Sequence, residues 1–372
     1  MTPVADALNN QDQDDLRLSI YSKKAMDVVS ALQADKPGLH DFMALVSPAA
    51  EPFIESMAQR AASLTRRHFG HTMQMFVPLY LSNLCANECT YCGFTMSNRI
   101  KRKVLSSDEI EAEALAIRQM GFNSVLLVTG EHETKVGLEY LIAAVRLLKP
   151  YFSHLMLEVQ PMSESDYAQL IRAGVDGVLV YQETYHRRTY ADYHLRGSKQ
   201  DFDWRLQTGD RLGRNGMAKI GVGALLGLSD WRVDSTMTAL HARILQQTYW
   251  RSRYSVAFPR LRPCAGSVHE QQQMLSDKQL VQLICAHRIM HPQVELSLST
   301  RESPHFRDHV SQLGITSMSA ASQTQPGGYA SANGALEQFS TEDNRPASQV
   351  AAALLDKGIE PVWHDWLHGF SG

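Results

Sequence analysis

From Gly70 onward the chain repeats one pattern. Short continuous apolar runs at 77–81, 124–130, 155–160, 177–182, 219–226, 254–258, 294–299 and 316–320 are separated by helical stretches. Runs of this length that do not alternate with polar residues read as strands buried on both faces. The intervening stretches 106–120, 138–148, 163–174, 201–213, 235–250, 276–290 and 306–313 carry helix signals. Ser106 with Glu109, Ser163 with Asp166, and Ser276 with Gln279 are capping boxes, while Gly121 and Gly174 are stop residues. Strands alternating with helices over about 250 residues predict an α/β fold, a closed parallel (β/α)8 barrel of the TIM type. Such barrels place their chemistry at the C-terminal ends of the strands.

The flanks differ from the repeat. Residues 1–16 are polar and acidic and predict a loosely attached start. Helical patterns at 15–32, 39–46 and 52–69 predict an N-terminal extension, residues 1–72, lying across one end of the barrel, residues 73–321. Residues 322–372 predict a loop, a helix at 346–357, and a tail whose Trp363 and Trp366 dock on the barrel, with a substrate lid or a partner contact as the minor alternative. A hydrophobic content of 44%, a charged content of 20% and a net charge of −3 describe an ordinary globular protein. They give no reason to expect nucleic acid or an anionic membrane as partner. No basic-then-apolar leader and no long apolar span is present, so a cytoplasmic location is expected.

Three of the five cysteines fall in one loop after the first strand, as Cys85-x3-Cys89-x2-Cys92. Thiolates this close can seize one soft-metal centre. A structural zinc site would need a fourth ligand, for which His68, His71 or His132 is available. None has a zinc-finger spacing to the triplet, which favours a 4Fe–4S cluster held by three thiolates with one iron open. Cys264 and Cys285 are then core or loop thiols, consistent with a reducing compartment.

Other chemistry-bearing residues sort by strand end. Gly130 and Glu131 close the second strand, and Glu158 shares a face with Gln160 on the third. A carboxylate in an apolar strand is costly unless it is paired or meets a ligand. Gln182 and Glu183 end the fourth strand, ahead of His186, which reads as a solvated side chain. The fifth strand is glycine-rich, allowing a flat ring close to the backbone around Ile220, Gly223 and Leu225. At the seventh, Ser297, Ser299 and Arg301 share a face. Arg301 and Glu302 complement the carboxylate and ammonium of an amino acid. Ser319 and Ser322 end the eighth, where serines also serve as turn formers.

The cysteine spacing with an aromatic, Tyr91, before the last cysteine resembles the signature of radical S-adenosylmethionine (SAM) enzymes. The resemblance implies that the open iron chelates SAM. Gly130 and Glu131 would receive the SAM amino group, although Thr129 stands where the family has a first glycine. It further implies that Tyr91 lies near the adenine, Glu158 touches the ribose or amine, and Gln182 or Glu183 contacts SAM. Ile220, Gly223 and Leu225 would pack on adenine, in a stretch that lacks the family's terminal acid. More of the chain, including LLVTGEH, VYQETYH, SRYSVAFPRLRPC, LSTRESP and TQPGGY, resembles the 2-iminoacetate synthase (tyrosine lyase) family of thiamine thiazole biosynthesis. That implies abstraction of a hydrogen atom from the amino group of L-tyrosine by a 5′-deoxyadenosyl radical. Scission of the Cα–Cβ bond to 2-iminoacetate and 4-cresol would follow. Arg301, Glu302 and Ser319 would position the substrate. A flavodoxin-type electron donor and the thiazole synthase subunit are the implied partners, and the helical extension and Trp-containing tail are expected to shield the imine from water. The related tyrosine-cleaving hydrogenase maturases carry a second cluster on C-terminal cysteines; here no cysteine follows Cys285. A lyase of another aromatic amino acid and a non-catalytic iron–sulfur carrier remain as alternatives.

Overall fold

The computed structural model describes residues 2–264, 275–331 and 337–364. Eight parallel strands form the barrel: β1 (Thr72–Ser82), β2 (Ser124–Thr129), β3 (His154–Glu158), β4 (Gly177–Leu179), β5 (Lys219–Gly223), β6 (Arg253–Ala257), β7 (Glu295–Leu298) and β8 (Ser317–Ser319). They pair in chain order, and β8 returns to β1 with Gln74 opposite Ser317, which closes the ring. The strand predictions therefore hold as strands, and the registers follow from burial. Residues such as Val77, Leu127, Leu157, Ile220 and Leu296 face outward into one continuous core with the helix layer. Phe76, Leu126, Met156 and Leu179 face inward and form a smaller apolar layer inside the barrel. Alternation within each strand thus separates two cores.

The flanks depart from expectation in three ways. The first residues are not loose: Pro3–Asn9 is a helix that buries Val4, Ala5 and Leu8, and Thr2 hydrogen-bonds Asp210. The run at 15–32 is two helices, Gln13–Tyr21 and Ala25–Gln33, because the Asp27 side chain accepts from the Lys24 backbone N–H and starts a new helix there. The extension also does not lie across a barrel end. Leu39–Val46 and Ile54–Phe69 pack on the outer helix Asp277–Met290, so these elements wrap the flank.

The tail docks, but at the N-terminal end of the barrel. β9 (Glu360–Val362) pairs parallel with the start of β1, Thr72 opposite Glu360. Trp363 meets Phe122 edge-on at 5.1 Å, and Asn123 bonds His364 at 3.3 Å. Trp366 lies outside the described residues. The C-terminal mouth is roofed instead by described parts of 322–343. There Glu113 accepts from the backbone N–H of Tyr329 at 3.1 Å and of Ala330 at 2.6 Å. The Tyr329 hydroxyl donates to the Pro78 carbonyl at 2.7 Å. At the far end of the roof Asp343 pairs with Arg307, their side chains 0% and 1% exposed, and with Arg345 at 2.7 Å.

Removing one partner of such a pair strands a buried charge, which costs about 3–5 kcal/mol. Asp343→Ala is therefore expected to lower unfolding stability by that amount in urea titrations. A loss below about 1 kcal/mol, the worth of an exposed pair, would contradict the fastening role.

Candidate active site

The cysteine loop leaves the C-terminal end of β1 and folds back without regular structure apart from Glu88–Cys89, which pairs antiparallel with His194–Arg196. Its carbonyls are collected by one guanidinium. Arg102 donates to the Asn83 and Phe94 carbonyls, each at 2.8 Å, and to Thr95 and Asn98 at 2.7 and 3.1 Å. The loop also presses on the end of β2. The Gly130 N–H donates to the Ser82 carbonyl at 2.9 Å, and Ala86 N–H donates to the Glu131 carbonyl at 2.8 Å. A Cβ at Gly130 would stand 2.4 Å from the Leu84 carbonyl oxygen, so only glycine lets the two backbones meet.

The result is that Cys85, Cys89 and Cys92 line one cavity at the barrel mouth. Burial pushes the Cys85 thiol up to about 11 and raises Cys89 and Cys92 as well. Ligation would have to remove these protons. Among the described residues no three His, Cys, Asp or Glu side chains gather closely enough to share a single metal ion. A tetrahedral zinc, with Zn–S of about 2.3 Å, needs that convergence; a cluster with one thiolate on each of three irons does not. His68 and His71 precede β1, a whole strand away from the loop. His132 bonds Thr134. Cys264 lies against the same loop and donates its thiol to the Tyr91 carbonyl at 3.1 Å. Three soft donors on one wall fit a cluster with an open iron.

Beside the loop four charges interlock. Arg205 donates to Glu131 at 3.0 Å and reaches Glu183 at 3.5 Å; Lys199 meets Glu183 at 2.7 Å; Asn87 donates to Glu131 at 2.8 Å. Burial alone would lift both carboxyls, but Lys199 and Arg205 overcome it. They hold Glu183 down to about 2 and lower Glu131. Glu183 adopts φ 69°, a left-handed conformation that costs a non-glycine residue about 1–3 kcal/mol. The turn is pinned by buried Asp234, which accepts from Thr184 Oγ1 at 3.0 Å and from the Tyr185 N–H at 2.8 Å.

Across β3 the balance reverses: burial raises Glu158 to about 7 despite the attraction of Arg301. Arg301 lies with its guanidinium 3.4 Å from the Phe339 ring centroid, donates to the Arg260 carbonyl at 3.3 Å, and makes no ion pair among the described residues. The Ser319 hydroxyl accepts from the Thr300 N–H at 3.2 Å and faces the same cavity.

The structure thus brings Tyr91, Gly130, Glu131, Glu158, Glu183, Leu225, Arg301, Ser319 and the three cysteines to one cavity. Four expected residues lie elsewhere. Glu302 is 1% exposed, with its oxygens on Arg260 and Arg262, because it follows Arg301 and turns the opposite way. Gln182 donates its amide to the Phe202 carbonyl at 3.3 Å. Ile220 belongs to the outer core, and the space beside Gly223 is taken by the Tyr181 ring. Asn87, Lys199, Arg205 and Gln338 line the cavity without having been expected. Lys199 and Arg205 follow the short helix Arg187–Tyr193 and the strand His194–Arg196, too short to give a periodic signal.

Two family profiles match this chain. The radical SAM superfamily covers residues 79–240 and the Biotin and Thiamin Synthesis associated domain covers 257–360. The chain is 58% identical over 367 residues to the 2-iminoacetate synthase of Escherichia coli (strain K12), spanning 98% of this chain and 97% of that one. It is similar to the FeFe-hydrogenase maturase HydG from Carboxydothermus hydrogenoformans, with TM-score 0.83 and 30% identity over 97% of this chain and 82% of that one. It shares its fold with methylornithine synthase, with TM-score 0.72 and 19% identity over 90% of this chain and 97% of that one. The cysteine loop, the closed barrel and identity across nearly the whole length agree, and the chain belongs to the 2-iminoacetate synthase family of radical SAM enzymes.

Proposed function

We infer that this chain is a lyase that cleaves the Cα–Cβ bond of L-tyrosine to 2-iminoacetate and 4-cresol for thiamine thiazole synthesis. The observation that carries the reading is that three cysteines from one loop and Arg301 line one roofed cavity. When bound, a 4Fe–4S cluster on Cys85, Cys89 and Cys92 together with SAM supplies a 5′-deoxyadenosyl radical that removes a hydrogen atom from the amino acid.

The chain's own groups then hold, orient and shield. Glu131 and Glu183, kept anionic by Lys199 and Arg205, offer carboxylates to the SAM ammonium. Tyr91 and Leu225 offer faces to the adenosine, and Glu158 accepts from it. Arg301 takes the tyrosine carboxylate, and Ser319 adds a hydroxyl. Phe76, Leu126 and Leu179 give the substrate ring an apolar floor. The roof keeps water from an imine that hydrolyses readily. Electrons come from a flavodoxin-type donor, and the product passes to the thiazole synthase subunit in the cytoplasm. No helix of the described residues is long and apolar enough to cross a membrane.

The direct test is an anaerobic assay of reconstituted protein with SAM, a reductant and each aromatic amino acid in turn. Tyrosine should give 4-cresol and glyoxylate, and serine at Cys85, Cys89 or Cys92 should stop SAM cleavage. An iron–sulfur carrier would form no 5′-deoxyadenosine, and a tryptophan lyase would answer to the other substrate. Charge-assisted bonds are worth about 1.5–3 kcal/mol, so Arg301→Ala should weaken tyrosine binding roughly tenfold or more while SAM binding holds. Equal losses would reject the carboxylate role. A carboxyl with pKa of about 7 is charged above neutrality and protonated below it. SAM affinity should therefore fall as pH drops from 8 to 6, and Glu158→Gln should flatten that slope.

A further inference from the structure

The roof does more than cover the mouth. Gln338 reaches down to the cysteine loop and brings its amide Nε2 to 3.7 Å from the Cys92 sulfur, within hydrogen-bond reach for sulfur. Its backbone is fixed on both sides: its N–H donates to the Thr324 carbonyl at 3.0 Å, and its carbonyl accepts from the Gly93 N–H at 3.1 Å. The approach is tight, since a Cβ at Gly93 would stand 2.7 Å from that carbonyl oxygen. The amide is also oriented. The Tyr80 hydroxyl donates to Gln338 Oε1 at 2.7 Å, and burial keeps Tyr80 a phenol and therefore a donor. A flipped amide would set its oxygen against the sulfur, acceptor against acceptor. Tyr80 thus holds the oxygen, and the N–H is left for the thiolate.

We propose that Gln338, oriented by Tyr80, is a positioning residue that donates to the Cys92 thiolate and raises the reduction potential of the cluster. The proposal rests on the cluster assignment above. Reduction adds an electron and makes the cluster and its thiolates more negative. A fixed N–H dipole aimed at one sulfur stabilises the reduced state more than the oxidised one. The residue comes from the segment that roofs the substrate cavity, so a closed roof and an easily reduced cluster are the same state of the chain.

The test is the midpoint potential of the reconstituted protein, followed by electron paramagnetic resonance, with iron and sulfide content measured in parallel. Gln338→Leu keeps volume and backbone bonds and removes the donor; its midpoint should move to more negative potential with full iron content. Gln338→Glu, which turns an acceptor to the sulfur, should move it further in the same direction. Tyr80→Phe leaves the glutamine in place but frees its amide, and should give a smaller shift of the same sign. Unchanged midpoints in Gln338→Leu and Tyr80→Phe would overturn the proposal. So would a shift to more positive potential, the sign of water reaching the cluster. If Gln338→Leu takes up no cluster, the Tyr80→Phe midpoint decides. Wild-type protein that forms no 4Fe–4S signal would instead refute the cluster assignment itself.

Discussion

An irregular loop with three thiols at the mouth of a barrel is an unfavourable thing to bury. Its carbonyls lack ladder partners, and a buried backbone oxygen without a donor costs about as much as a lost hydrogen bond. Arg102 answers this with four bonds to four carbonyls, and Gly130 lets the loop backbone rest directly on the end of β2. Only with the loop immobilised in this way are the three sulfurs pre-positioned. The close contact also couples the two sites: the backbone that seats the cysteines is bonded to Glu131, whose carboxylate faces the cavity.

The charge arrangement follows from that seating. Glu131 and Glu183 sit side by side and would repel each other in a poorly solvated wall. Lys199 and Arg205 convert them into a balanced set. Asn87, from within the cysteine loop, ties the set to the loop by donating to Glu131 and accepting from the Lys199 N–H at 3.0 Å. Gly197 makes room for this, because a Cβ there would stand 2.2 Å from Asn87 Oδ1. On the other wall burial outweighs the attraction of Arg301 and Lys199 and the Tyr181 hydrogen bond, and Glu158 stays close to half-protonated at neutral pH. Two carboxylates held charged and one left poised are suited to different tasks. The first pair can receive a cation, while the third can accept or release a proton as a ligand arrives.

How much of this was legible depended on period and range. The barrel strands were legible because burial on both faces writes continuous apolar runs. The cysteine loop was legible because three thiols within eight residues can reach one metal centre whatever the surrounding fold. Arg301 and Ser319 could be placed at the mouth by strand position alone. Glu302 could not, because the residue after a strand end obeys no alternation and here turns to Arg260 and Arg262. Ile220 and Gly223 were misplaced for the opposite reason: alternation sends Ile220 outward, and the Tyr181 ring fills the room beside Gly223. Lys199, Arg205 and Gln338 owe their positions to long-range contacts that local sequence does not encode.

The two ends of the barrel divide the work, and the C-terminal fifty residues serve both. Their last strand extends the sheet at the N-terminal end of β1, where Trp363 covers Phe122. Their first part crosses the mouth, anchored by Glu113 at one side and by the Asp343–Arg307 pair at the other. Between these anchors the described part of the segment is tied once more, through the Gln338 backbone bonds to Thr324 and Gly93. Among the described residues the cavity is bounded by Thr324, Gln338 and Phe339 of the roof, and the docked tail strand lies away from it at the start of β1. The bonds nearest the cavity are those of Gln338 and Phe339, which touch the cysteine loop and Arg301 respectively. Opening the roof therefore disturbs the metal-ligand loop and the substrate arginine together, and closing it restores both.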